Sequence, residues 1–324
     1  MAPDHRPARR GPRARPRRLT ALLPYEKPED FAEFWGEATA EAMAQPLDLG
    51  RTYHQDYPSE THVVEEIRFR GMGGVERRGW IAAPEGARRL PGFLWVPPYG
   101  RWSMKPNEYG TREGMVSLSF NLHGEGAFHE ETYRTERGYF AEGVERPETW
   151  IFRRIYQDCV IAARLLQAQA EVGEGQVAAM GMSQGGGISV WLGAWCPVVK
   201  AVCADMPFLS GVGDTILNSI VRYPLKEVRD AMEAMPLGEA RVLDTLSYYD
   251  TGFHAEHCAV PTQVSLGQKD PACRPPTVES VFSALPGPKR LIQYEGGHDW
   301  HAEMVPNNAE WLTRAFGAAE DRAR

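Results

Sequence analysis

The stretch Gln176-Val177-Ala178-Ala179-Met180-Gly181-Met182-Ser183-Gln184-Gly185-Gly186-Gly187-Ile188-Ser189-Val190-Trp191-Leu192 decides the fold. Residues 176–180 read as a buried strand, and residues 186–192 read as the start of a helix. Between them a serine stands in a G-x-S-x-G pattern, Gly181 to Gly185. A strand-to-helix turn this tight brings side chains flanking the serine into collision with neighbouring backbone, so glycine is required there. The bend lifts the serine oxygen above the sheet, within reach of a base. Ser183 is therefore the candidate nucleophile; the competing reading is a glycine-rich turn with an incidental serine.

Around this elbow, the chain's bulk properties bound what it can be. Its 324 residues suit one large α/β domain or two ordinary ones, and 43% hydrophobic with 24% charged residues is usual for a globular protein with a sizeable core. A formal net charge of −7 argues against a general nucleic-acid binder. Five scattered cysteines (159, 196, 203, 258 and 273) form no C-x-x-C pair and are odd in number, which favours reduced interior thiols over a disulfide framework. No apolar run approaches the roughly 18 residues of a membrane helix. Residues 1–18 carry seven arginines and four prolines. Like-charge repulsion and proline oppose compaction there, so 1–24 is expected to be a disordered leader. The twin arginine Arg9-Arg10 lacks an adequate apolar stretch, because Leu19 to Leu23 stops at Pro24. A cytoplasmic protein is the expectation.

From Tyr25 onward no linker and no repeat is evident, so 25–324 is expected to be one domain. Helical patterns run over 27–44, 150–170, 276–285 and 308–318. Residues 63–70 and 77–83 alternate as an antiparallel strand pair. The short apolar runs 92–96, 115–120, 198–204, 261–266 and 290–294 read as buried parallel strands. Such alternation predicts a mostly parallel sheet with helices on both faces. Only 208–257 breaks it: this helical stretch, rich in Met, Tyr and Leu, is expected to be an insertion near the carboxyl ends of the strands. There it would form a cap over the site or a surface excursion.

A serine hydroxyl needs a base to activate it and an acid to orient that base. In α/β-hydrolases, whose elbow this resembles, the chain order is Ser, then Asp or Glu, then His. Asp270 follows the strand 261–266 and His298 follows the strand 290–294, so both lie on the sheet edge that carries the elbow. Asp205, at the end of the strand after the elbow, is a rival acid; its other reading is a structural carboxylate tying down the Met206-Pro207-Phe208 turn. His301, three residues beyond His298, suggests a metal pair, but no Cys or carboxylate cluster accompanies it, so no metal is expected. His123, His129, His254 and His257 read as loop histidines. An oxyanion hole needs two amide donors. One is the N–H of Gln184, directly after the nucleophile. The second should come from Pro97-Pro98-Tyr99-Gly100, where Tyr99 is the first residue with an N–H to give.

The string Gly181-Met182-Ser183-Gln184-Gly185-Gly186-Gly187, with Ala204-Asp205-Met206-Pro207-Phe208-Leu209, resembles the acetyl xylan esterase/cephalosporin-C deacetylase family of carbohydrate esterases. Asp270-Pro271-Ala272-Cys273-Arg274-Pro275-Pro276-Thr277 is similar to that family's acid-bearing D-x-x-C-P-P loop; Asp158 and the Asp30-Phe31 to Trp35 opening also fit. The likeness spans about residues 25–315. It implies an α/β-hydrolase fold, removal of acetyl or other short acyl groups from sugars or small alcohols, and no cofactor. It further implies Ser183, Asp270 and His298 as the triad, with Tyr99 and Gln184 as the oxyanion hole. The family's ring-shaped assemblies make a homo-oligomer an expectation. This chain departs from the family at Pro97-Pro98, where His-Gly is usual, and at Asn121-Leu122-His123-Gly124-Glu125-Gly126, where Asp-x-Arg-Gly-Gln-Gly is usual. It departs again at Arg274, for proline, and Asp299, for glutamate. The triad does not distinguish ester from amide, so a peptidase or acyl transferase on the same scaffold is the alternative, and a binding module with a vestigial triad is a third reading.

Overall fold

The computed structural model describes residues 23–53, 59–100, 106–123, 138–219 and 221–323; most of the arginine leader, His129 and part of the 121–126 loop fall outside these. Elements follow the order α1 (Phe31–Met43), β1 (Leu49–Tyr53), β2 (Val63–Arg70), β3 (Glu76–Ala83), β4 (Leu90–Val96), β5 (Val116–Phe120), α2 (Ile151–Gln167), β6 (Val172–Met182) and α3 (Gln184–Trp195). Then come β7 (Val199–Asp205), α4 (Val212–Asn218), α5 (Leu225–Ala234), α6 (Gly238–Tyr249), α7 (Thr251–Ala255), β8 (Thr262–Gly267), α8 (Pro275–Ala284), β9 (Lys289–Tyr294) and α9 (Met304–Ala323).

Among the described residues, nine strands form one sheet in the order β1-β2-β3-β5-β4-β6-β7-β8-β9. β1, β2 and β3 pair antiparallel, and β3 meets β5 antiparallel. From β5 across to β9 every pairing is parallel. The mostly parallel sheet expected from the sequence is present; β1 is an addition to it, because Leu49-Gly50-Arg51-Thr52-Tyr53 shows little apolar alternation and is held at the sheet edge by its antiparallel ladder with β2.

Residue alternation sorts the core onto two faces. Phe93, Trp95, Ala178 and Met180 point to one face, where Trp311, Leu312 and Phe316 of α9 cover them. Leu94, Val96, Val177 and Ala179 point to the other, beneath α2 and α3. α1 buries Phe31, Trp35, Ala38 and Ala42 along one stripe. Trp35 lies against Tyr156 of α2 and Trp191 of α3, and its Nε1–H donates to the Tyr248 carbonyl at 2.8 Å. The opening helix thereby ties the sheet's helices to the 208–257 segment. Asp158 of α2, fully buried, accepts from Arg77 Nε of β3 at 2.8 Å and from the Met72 amide at 2.6 Å. Burial raises its pKa and the Arg77 charge opposes that rise.

The segment between β7 and β8 folds into α4–α7. Its anchor is Asp250, whose Oδ2 accepts from the Tyr25 hydroxyl and the Gly211 amide, each at 2.9 Å, while Oδ1 caps α7 through the Gly252 amide at 2.9 Å. Burial pushes this carboxyl up to about 6. His254, expected in a loop, lies instead inside α7 and is fully buried; its Nδ1 accepts from Trp195 Nε1 at 3.1 Å and its ring packs on Phe31. His257 stacks on the same phenylalanine. Aromatic packing across sequence distance made one apparent loop histidine, His254, a core residue, while His257 stays in the half-buried turn after α7. All five cysteines are free and buried, in line with the reduced reading. No helix among the described residues is long and apolar enough to cross a membrane.

Candidate active site

Strand β6 delivers the elbow. Ser183 has φ 57° and ψ −117°, a left-handed conformation that a non-glycine residue holds only when its surroundings over-determine it. Three backbone bonds do so. The Ser183 amide donates to the Asp205 carbonyl at 2.8 Å, and the Ser183 carbonyl accepts from the amides of Gly187 and Phe208, both at 3.0 Å. The flanking glycines meet the end of β4: a Cβ on Gly181 would lie 2.4 Å from the Val96 carbonyl oxygen, and one on Gly185 would lie 1.9 Å from it. Gly185→Ala should therefore destabilise the fold by about 3 kcal/mol or more, because a backbone atom blocks the new methyl. Thermal denaturation checks this, and an unchanged melting temperature would refute the packing argument.

Asp270 and His298 lie on the loops after β8 and β9. These loops are joined by backbone bonds, Gln268 N–H to the Tyr294 carbonyl at 2.8 Å and Lys269 N–H to the Gly296 carbonyl at 2.9 Å. Asp270, buried, takes the Ala272 and Cys273 amides on Oδ1 at 2.7 and 2.8 Å. Its Oδ2 faces His298 Nδ1 at 2.7 Å, and His298 Nε2 faces Ser183 Oγ at 3.0 Å. The sequence placed Ser183, Asp270 and His298 on one sheet edge; the structure joins them in one unbroken hydrogen-bonded line.

Asp205, the rival acid, is elsewhere. Its Oδ1 accepts from Ser265 Oγ at 2.5 Å and its Oδ2 from Asn308 Nδ2 at 2.8 Å. It is a structural carboxylate, but its side chain ties β7 to β8 and α9 rather than holding the turn at Met206. Burial raises its pKa. His301 stacks on Tyr294 with centroids 4.6 Å apart, away from any metal-like grouping among the described residues. Asp270, Cys273 and His298 do place donor atoms within 4.8 Å of one another. The nitrogen and oxygen atoms are already committed, the histidine to the carboxylate and the serine, and the carboxylate to two amides. Burial and the nearby Asp270 charge push the Cys273 thiol far up, so it stays protonated and is a poor metal ligand.

Gln184 opens α3, so its amide lies at a helix N-terminus beside the serine. Tyr99 lies on the loop after β4 and, with Ser183 and His298, lines a pocket of about 470 Å³ that Phe208, Tyr223 and Trp300 also wall. A more open depression of about 520 Å³, between Met72 and Arg154, lacks the serine–histidine pair. One departure noted in the sequence takes on a structural role: Arg274 donates to Asp214 Oδ2 at 3.0 Å and Thr215 Oγ1 at 2.9 Å, fastening the Asp270 loop to α4.

The sequence model of the family described as acetyl xylan esterase (AXE1) matches residues 22–314. The chain belongs to the acetyl xylan esterase family. The acetyl esterase Axe7A of Xylanibacter ruminicola is 24% identical over 304 residues; the match takes in 90% of this chain and 66% of that protein, so the chain spans just under two thirds of its relative's length. Among solved structures, an acetyl xylan esterase from Paenibacillus sp. R4 superposes with a TM-score of 0.81 at 24% identity, covering 92% of this chain and 98% of that one. Acetyl xylan esterase 1 from Thermoanaerobacterium sp. JW/SL YS485 gives 0.75 at 22% identity, with 89% and 94% covered. These superpositions establish the α/β-hydrolase fold.

Three residues at the site escaped the sequence reading of chemistry. Cys273 was read only as an interior thiol, although it falls in the Asp270-Pro271-Ala272-Cys273 string. Tyr139 and Glu227 carry no local signal. Tyr139 donates from its hydroxyl to Gln184 Oε1 at 2.7 Å, and Glu227, buried on α5, accepts from the Tyr99 hydroxyl at 3.0 Å.

Proposed function

We propose that this protein is a serine esterase that hydrolyses short-chain acyl esters, acetyl above all, of sugars or small alcohols through an acyl-enzyme. The observation that carries this reading is the Asp270–His298–Ser183 line at a pocket of about 470 Å³, in a chain of the acetyl xylan esterase family. His298 Nε2 takes the Ser183 proton as Oγ attacks the ester carbonyl carbon, and Asp270 orients the ring and stabilises its cation. The amides of Tyr99 and Gln184 receive the charge on the carbonyl oxygen. Collapse of the tetrahedral species breaks the bond to the alcohol oxygen, which takes the proton from His298 as it leaves. Water then attacks the acyl-serine with His298 again as base, releasing the acid and restoring the hydroxyl. The helices α4–α7 serve as a cap, and Tyr223, between α4 and α5, lines the pocket with Phe208.

A series of p-nitrophenyl esters tests the reading. The acetyl ester should exceed the octanoyl ester in kcat/KM by about tenfold or more, since a small acyl pocket rejects added methylenes. Equal rates on the two would overturn the short-chain assignment, and a screen of acetylated sugars and small alcohols would then define the leaving group.

A further inference from the structure

The carboxylate of Glu227 is only 2% exposed, yet it belongs to α5, a helix of the segment between β7 and β8. Its Oε1 accepts from the Tyr99 hydroxyl at 3.0 Å and from the Gly138 amide at 2.8 Å, and its Oε2 accepts from the Ala141 amide at 3.4 Å. Burying a carboxylate is costly unless donors surround it, and here three converge on it. The approach is close: a Cβ on Gly138 would lie 2.2 Å from the Tyr99 hydroxyl oxygen, so only glycine lets that hydroxyl reach Glu227 alongside this backbone. The next residue, Tyr139, lays its ring near that of Tyr99, with centroids 4.9 Å apart, and donates to Gln184 Oε1 at 2.7 Å.

Tyr99 and Gln184 are the two residues whose amides the esterase mechanism assigns to the oxyanion hole. Their backbones come from different strand ends, after β4 and after β6. Their side chains nevertheless converge on one short scaffold, residues 138–141, which Glu227 grips through backbone amides at both ends. We propose that Glu227 is a positioning residue: it sets the oxyanion donor of Tyr99 from the cap, through the Tyr99 hydroxyl and the 138–141 segment. The proposal rests on the esterase reading. It makes the cap part of the transition-state geometry rather than only a wall of the pocket. Preorganised donors act through their placement, and a misplacement of about 1 Å can cost on the order of 100-fold in rate.

The test uses Glu227→Gln and Tyr99→Phe, singly and together, in the full chain. Each single variant should lower kcat on p-nitrophenyl acetate by about tenfold to 100-fold while KM stays within about threefold, because the lost contact acts only on the developing oxyanion. Affinity for a phenylboronic acid, whose adduct with the serine is tetrahedral, should fall in proportion to kcat/KM. The double variant should lose no more than the worse single one, because both changes break the same clamp. Tyr99→Phe keeps the ring and removes one hydroxyl, so it remains informative if Glu227→Gln fails to fold. A folded Tyr99→Phe or Glu227→Gln variant with kcat and boronate affinity within twofold of the parent overturns the proposal, as does a purely additive double variant. Failure of the esterase reading looks different: the unaltered protein would neither turn over the ester nor react at Ser183 with a fluorophosphonate.

Discussion

Replacing Ser183 with alanine should lower kcat/KM on p-nitrophenyl acetate by about 10⁵-fold, because the hydroxyl in line with His298 is gone and the residual rate falls to what oxyanion donors and binding supply. The fold should survive. Ser183 holds φ 57° through backbone bonds to Asp205, Gly187 and Phe208, and alanine keeps every one of them. The hydroxyl lost is the one facing His298 Nε2, a side-chain partner, so the backbone bonds that hold the turn remain. Ser183→Gly makes a useful companion. It should be as inactive but more stable than Ser183→Ala by about 1 kcal/mol, since glycine holds this conformation without steric cost. Initial rates and thermal melts decide both points. Turnover retained within about 100-fold in Ser183→Ala would remove the serine from the mechanism.

Asp270→Asn should cost about 10⁴-fold in kcat with little change in structure, and the reason lies in the acid loop. The Ala272 and Cys273 amides both donate to Oδ1, so an asparagine there must present its oxygen to them. Its NH₂ group is then forced toward His298 Nδ1, which can only accept. The imidazole proton is driven to Nε2, the nitrogen that must take the serine proton. The variant would hold a well-ordered ring in the wrong tautomer. Measurement of kcat, with circular dichroism as the check on folding, tests this. A loss below about tenfold would mean that Asp270 does not set the tautomer, and attention would pass to another carboxylate. Asp205 could not take over, because Ser265 and Asn308 already occupy it.

Much of this was legible in the chain because the signals are local. The elbow announces itself through glycines whose missing Cβ atoms leave room for the Val96 carbonyl. The parallel strands read as short apolar runs, since strands covered on both faces must be apolar on both. Asp270 and His298 were found by their place after strands, which the parallel topology converts into nearness in space. The reading was weaker where partners are distant or the pattern is thin. β1 was missed because an edge strand need not alternate. His254 looked like a loop residue because nothing nearby in the chain announces its packing on Phe31.

By itself the sequence determined the strand–turn–helix elbow, the alternation that builds the sheet, and the order serine, aspartate, histidine. Each follows from residues adjacent in the chain or from topology that short connections dictate. Tertiary structure alone decided that Asp205 serves β8 and α9 instead of His298. It alone brought the Cys273 thiol beside Asp270 and His298 and closed Glu227 over Tyr99 and residues 138–141. Glu227 and Tyr99 are 128 residues apart, and on its own helix that glutamate resembles any solvated charge. A contact of that range leaves no periodic trace, because it is made by two separate elements only once the core has brought them together.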